Sequence, residues 1–286
     1  MKILVFDTET TGLDTSKDYI LELAWATYNV SSFGWNLINV KSEILSWIPH
    51  PVTITPEIQS LTGISEDLIH KHGRHPGAVI EQLWIDSMCC DFVAGMNIIK
   101  FDTPMVNRAM PLLEQSRQYM WDKNLFKKNH IDLWFDVEFP PHLKRKALKY
   151  MALDHDYVLM NAHRAVSDVL ATGHILSRYP IDKILERSLT PLVKATIVPN
   201  WGDKVLRQAV YENGFHWNRD RKVYEKEMRA FDLAKLPFEV KVESTLTIGE
   251  KQGEQTSFAT DPIPAIEPTA EQISLFQDQD SLFSDS

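Results

Sequence analysis

Two carboxylates one residue apart, Asp7 and Glu9, close the apolar run Ile3-Leu4-Val5-Phe6. Side chains alternate faces along a strand, so both acids point the same way. Like charges side by side raise each other's pKa unless a cation lies between them. The pair is a candidate divalent-metal site at a strand end, and its remaining ligands should stand elsewhere in the chain. The alternative is an acidic strand end that is simply solvated.

Two further acids have suitable surroundings. Asp102 follows Asn97-Ile98-Ile99-Lys100-Phe101 and opens a helix expected over 102–118, with Pro104 in its first turn. It reads as an N-cap or as a ligand, and its position suits both. Asp168 lies in the segment His163-Arg164-Ala165-Val166-Ser167-Asp168, at the start of a helix expected over 164–178. There it shares a mostly apolar face with Ala165, Thr172 and Ile175. A charge on such a face needs a partner or a metal, unless the helix dipole holds it. His163 precedes Asp168 by five positions, about 140° around a continuous helix. It therefore belongs on the loop entering that helix.

These blocks, Asp7-Thr8-Glu9, Asn97-x3-Phe101-Asp102 and His163-x4-Asp168, resemble the DEDDh 3′→5′ exonucleases, among them the polymerase III epsilon and exonuclease X types. The resemblance covers about residues 1–180, with the whole run Phe6–Leu13 and Ala162-His163-Arg164-Ala165 matching. Ile54–Ser65 is similar to the segment beside the terminal nucleotide, although Leu61-Thr62 stands where many members have His.

The resemblance implies two Mg²⁺ or Mn²⁺ ions, which suit hard carboxylate ligands. Asp7 would be shared by both ions, Glu9 and Asp168 would ligate the nucleophile-side ion, and Asp102 would act mainly through water. His163 would be the general base, its ordinary pKa lying near working pH. Thr8, Thr10, Gly12, Leu13, Asn97 and Phe101 would bind the terminal nucleotide. Leu13 reads either as a wedge against its base or as plain core. The implied activity is a 3′→5′ exodeoxyribonuclease of replication, repair or proofreading, acting on single-stranded DNA or 3′ ends. Alternatives are an exoribonuclease with the same site and a nonenzymatic clamp- or DNA-binding accessory.

The elements that must position these residues read as strands at 2–7, 20–30, 35–47, 91–96 and 130–135. Helices are expected at 56–72, 76–87, 102–118, 146–153 and 164–178. Mixed strands and helices fit an α/β, ribonuclease-H-like exonuclease fold, a mixed central sheet flanked by helices, over residues 1–182. Residues 190–238 read as a small α+β module: an amphipathic helix Val205–Tyr211, an Asn213-Gly214 stop, and a hairpin pairing Phe215-His216-Trp217 with Lys222-Val223-Tyr224. These aromatics read as the module's own small core or as a stacking platform for single strands. Residues 239–286 read as an acidic disordered tail. The tail carries two Gln-x-Ser-Leu-Phe peptides, with Gln272, Leu275 and Phe276, then Gln279, Leu282 and Phe283. They resemble the peptides by which bacterial replication proteins bind the sliding clamp.

The net charge of −9 is concentrated in that tail: residues 243–286 hold nine acids and one base, leaving 30 acids and 29 bases over 1–242. Basic clusters at Lys127-Lys128 and Lys144-Arg145-Lys146 with Lys149 read as phosphate contacts or as a solvated face. Cys89 and Cys90 are the only cysteines and provide neither a disulfide framework nor a zinc cluster. With no signal peptide and no apolar run of about 20 residues, the expectation is a cytoplasmic protein without a membrane partner.

Overall fold

Ile3, Leu4, Val5 and Phe6 are all fully buried, because the strand that carries them is covered on both faces. The computed structural model describes residues 1–47, 53–110, 129–140, 143, 147–160, 163–198 and 202–246. Among them β1 (Lys2–Thr10) is the middle strand of a five-stranded sheet. It pairs antiparallel with β2 (Ile20–Ser31), which pairs antiparallel with β3 (Gly34–Ile44). On its other side β1 pairs parallel with β4 (Phe92–Gly95), and β4 pairs parallel with β5 (His130–Asp132). This mixed sheet with helices on both faces is the expected ribonuclease-H-like arrangement.

The even and odd residues of β1 serve different cores. Leu4 and Phe6, with Leu23 and Trp25 of β2, pack against Val79, Ile80 and Leu83 of α3 (Pro76–Met88) and Met105 and Val106 of α4 (Asp102–Ala109). Ile3 and Val5, with Ala24 and Ala26, pack against Met151 of α6 (Leu148–Asp154) and Val169, Ala171 and Ile175 of α7 (Ala165–Leu176). At Gly173, α7 comes so close to β2 that a Cβ would lie 2.4 Å from the Tyr28 hydroxyl.

Several expected elements are redrawn. The helix over 56–72 is two helices, α1 (Pro56–Thr62) and α2 (Glu66–His72). Gly63 closes α1 at a φ of 71°, which a residue without Cβ adopts easily, and Ser65 caps α2 by accepting from the Leu68 N–H. The strand over 130–135 stops at Asp132, whose side chain caps a helical turn, α5 (Leu133–Asp136). The described part of the helix over 102–118 spans Asp102–Ala109. Helix α8 (Ile181–Ser188) was not expected.

The C-terminal sheet is larger than a hairpin. Its order is β7 (His216–Asn218), β8 (Val223–Arg229), β6 (Leu192–Ile197) and β9 (Lys241–Leu246), all antiparallel, with α9 (Lys204–Glu212) packed on it. The disorder expected from residue 239 is corrected over 241–246, where β9 pairs along the free edge of β6. Phe215 and Tyr224 join the core of this sheet with Val193, Val210 and Met228. Both are therefore core residues rather than an open stacking surface. Residues Met1–Glu250 form one compact unit.

Candidate active site

The carboxylates gather at the C-terminal ends of β1 and β4, where α4 and α7 begin. Such crevices beyond the carboxyl ends of parallel strands are where open α/β sheets place their ligands. Asp7 and Glu9 stand on the α7 face of β1, Asp102 opens α4, and Asp168 lies in the first turn of α7. His163 sits in the turn before α7 at a φ of 69°, in the left-handed region, and its side chain is exposed. Ligand atoms of Glu9, His163 and Asp168 all lie within 4.8 Å of one another. Asp7 and Asp102 stand outside that trio.

Mutual repulsion and burial mark the four carboxylates as one electrostatic cluster. Burial pushes the Asp7 carboxyl well above its ordinary value, and repulsion from Asp102, Asp168 and Glu9 adds to the shift. Burial, with Asp168, Glu22 and Asp102 nearby, raises Glu9 to about 8. Asp168 is raised to about 7 by burial and by Glu22, against the pull of the His163 backbone N–H. Burial raises Asp102 to about 7, although the Thr8 hydroxyl and N–H oppose the rise. Burial and, secondarily, Lys149 lower the His163 pKa.

The donor set fits a hard divalent cation. Asp168 Oδ1 is buried without a hydrogen-bond partner, and a buried carboxylate oxygen left in that state is costly. A metal ion would satisfy it and relieve the repulsion that raises the carboxyl pKa values.

The positions expected to meet the nucleotide divide into two groups. Thr8 donates its N–H (2.9 Å) and hydroxyl (2.6 Å) to Asp102 Oδ1, so it orients a carboxylate rather than facing a ligand. Thr10 is likewise turned inward, its hydroxyl donating to the Gly12 carbonyl at 2.6 Å. Gly12 lies against Asp18, where a Cβ would come within 2.5 Å of a carboxylate oxygen. Leu13 is 88% exposed, which removes the core reading and leaves it free to touch a base. Asn97 has a φ of 57° and a buried side-chain oxygen without a partner. Phe101 packs against the α3–α4 core. The basic clusters at 127–128 and 144–146 and the peptides at 272–283 lie outside the described residues.

Two acids that support the site escaped the sequence reading. Glu22, fully buried on β2 opposite Glu9, accepts both Arg164 Nε and Nη2 at 2.9 Å and the Ala165 N–H at 3.1 Å. It pins the start of α7, and with it His163 and Asp168. A charged residue inside Ile20-Leu21-Glu22-Leu23-Ala24-Trp25 was its available signal. Asp132 accepts the N–H groups of Asn97 (3.1 Å) and Ile99 (3.2 Å), holding the loop that leads to Asp102.

The exonuclease family model RNase_T matches residues 4–176, more than half of the chain and all five clustered residues. The chain belongs to this exonuclease family. Members of the family depend on divalent metal, in keeping with the acidic cluster. A solved exonuclease I structure is 17% identical with a TM-score of 0.50, covering 67% of this exonuclease chain and 48% of its own, a likeness of fold. The zinc-bound E. coli exonuclease I complex with single-stranded DNA is 17% identical with a TM-score of 0.49, covering 71% and 49%. Exonuclease I of Methylocaldum szegediense gives 17% and 0.49, covering 70% and 48%. The exonuclease chain thus spans about half the length of these structures. No curated protein sequence matches it. Among the described residues, no helix is long and apolar enough to cross a membrane.

Proposed function

We propose that this chain is a metal-dependent 3′→5′ exodeoxyribonuclease that releases 5′-mononucleotides from DNA 3′ ends. The observation that carries the reading is the convergence of Glu9, His163 and Asp168 within 4.8 Å of one another, with Asp168 Oδ1 buried and without a hydrogen-bond partner among the described residues. Asp7, Glu9, Asp102 and Asp168 would hold Mg²⁺ or Mn²⁺. Bound there, two such ions supply a hydroxide at neutral pH and stabilise charge on the leaving oxygen.

The chain's own residues have separate tasks. His163, whose pKa is lowered by burial and secondarily by Lys149, would accept the proton of the attacking water. Its left-handed turn and the Glu22–Arg164 pair keep the imidazole beside Glu9 and Asp168. Leu13 offers an exposed apolar surface for the terminal base. The choice of DNA over RNA rests on the tail, whose Gln272–Phe276 and Gln279–Phe283 peptides resemble sliding-clamp ligands. In this reading the enzyme works in cytoplasmic DNA replication or repair, tethered to a clamp, and a second peptide raises the local concentration of the first.

The test is digestion of single-stranded DNA labelled at its 5′ end, with matched RNA, in Mg²⁺ and in EDTA. Stepwise shortening from the 3′ end of DNA, lost in EDTA and in Asp7→Ala, is expected. Undiminished activity in Asp7→Ala would remove the site assignment, and preferred digestion of RNA would favour the exoribonuclease alternative. Clamp pull-down with and without residues 271–286 tests the tether.

A further inference from the structure

The strand β8 belongs to the C-terminal sheet, yet one of its faces meets the loop that delivers Asp102. Glu227 and Arg229 are two apart and so share that face. Arg229 is 3% exposed and places its guanidinium on Asp136, Nε to Oδ1 at 2.6 Å and Nη2 to Oδ2 at 2.8 Å. Its remaining donors reach the carbonyls of Thr190 (2.9 Å) and His130 (3.1 Å). Asp136, itself fully buried, accepts the Asp132 N–H at 2.7 Å. Asp132 in turn holds the N–H groups of Asn97 and Ile99. Two residues before Asp102, Lys100 forms an ion pair with Glu227.

The loop between β4 and α4 is therefore gripped at two points by one strand. It needs that grip, because Asn97 adopts a left-handed φ that a residue with a Cβ occupies at a cost. The Ile98 carbonyl then receives the Thr103 N–H at 3.0 Å, fixing the first turn of α4. A buried guanidinium–carboxylate fork has one geometry, so it transmits position as well as charge.

We propose that β8 is a positioning element for Asp102, with Arg229 acting through Asp136 and Asp132, and Glu227 through Lys100. The C-terminal sheet is then part of the apparatus that aims a metal ligand, and not merely an appendage. This rests on the reading of Asp102 as a ligand. The direct partner of Asp102 is Thr8, and Arg229 acts on it only through Asp136, Asp132 and the 97–99 backbone. Metal binding should therefore weaken by less than the roughly 10–100-fold that follows loss of a direct partner, by about 3–10-fold.

The experiment uses the full chain with Arg229→Met, Arg229→Lys and, as control, Asp86→Ala. Asp86 holds Trp25 and Lys41, and among the described residues this network has no bond to the Asp102 loop. Hydrogen exchange at Asn97 and Ile99, measured without metal, is expected to speed at least about tenfold in Arg229→Met, through loss of the ordered acceptor. Mn²⁺ affinity by calorimetry should fall about 3–10-fold in the same variant, short of the loss of a direct partner, and less in Arg229→Lys, while Asp86→Ala lowers the melting temperature and changes neither readout. Unchanged exchange at Asn97 and Ile99 in a folded Arg229 variant would overturn the proposal. So would equal acceleration in Asp86→Ala. Should Arg229→Met fail to fold, Arg229→Lys keeps the charge but not the fork, and wild-type exchange in it is equally fatal. Failure of the metal-site reading is distinguishable: wild-type Mn²⁺ binding would then persist in Asp7→Asn.

Discussion

Raising the pH should destabilise the metal-free protein. Burial lifts Asp102 from its ordinary 3.8 to about 7, and Asp132 and Asp168 also stand at about 7. A buried acid with a raised pKa binds its proton more tightly in the folded state than in the unfolded chain. Its stabilisation is complete below about pH 4 and is lost as pH climbs to about 7, because the folded state there holds more protons. For Asp102, 2% exposed, moving from pH 5 to pH 7 takes the folded-state acid from protonated to half-ionised, which integrates to ~2 kcal/mol at the usual conversion. In a chain of this size that is a fall in melting temperature of roughly 4–8 °C. The lowered pKa of His163 works in the opposite direction, but its exposure weakens the effect. The assay is a set of thermal melts in EDTA from pH 5 to pH 8, on wild type and Asp102→Asn. The asparagine retains a carbonyl oxygen for Thr8 but has no proton to lose, so its slope should be shallower. Adding Mn²⁺ should raise the melting temperature more at pH 8 than at pH 6, since the ion selects the ionised form. A metal-free wild type whose stability is flat or rises over this interval would refute the reasoning, as would an Asp102→Asn slope equal to wild type.

Three further outcomes are expected. Thr8→Val removes the hydroxyl on Asp102 Oδ1, which should cost ~1–3 kcal/mol in urea unfolding and weaken Mn²⁺ binding measured by calorimetry. Gly173→Ala should lower stability by ~1–3 kcal/mol through overpacking against Tyr28, seen as a lower urea midpoint at unchanged m. Leu13→Ala should alter stability by less than about 0.5 kcal/mol because the side chain is exposed, while steady-state kinetics on a short DNA oligonucleotide show a raised KM.

What was legible in the sequence was local. The apolar run before Asp7 and Glu9 announced a central strand, and the helical spacing after His163 announced α7. Those two features carry Asp7, Glu9, His163 and Asp168 to one end of the sheet. What stayed hidden depends on partners distant in sequence. Glu22 looks like a flaw in an apolar strand until Arg164 is brought to it by the fold. Asp136 and Arg229 are 93 positions apart, and nothing in the surroundings of either names the other. Strand β9 was misjudged because Lys241, Glu243 and Ser244 suggested solvent, whereas the edge of β6 supplied the pairing. The break at Gly63 was missed, because the apolar spacing ran on through it; the left-handed Gly63 and the Ser65 cap divide the segment into two helices.

Strand β1 sorts its residues by parity: Asp7 and Glu9 look toward α7, and Thr8 between them grasps the acid that opens α4. A slip of a single position against β2 and β4 would exchange the two sides, burying carboxylates among Leu and Met and turning a threonine toward Glu22 and Asp168. Chemistry here is consequently all-or-none with respect to alignment: a frame of paired backbone, locked on both flanks, acts as the ruler that tells each acid where to stand.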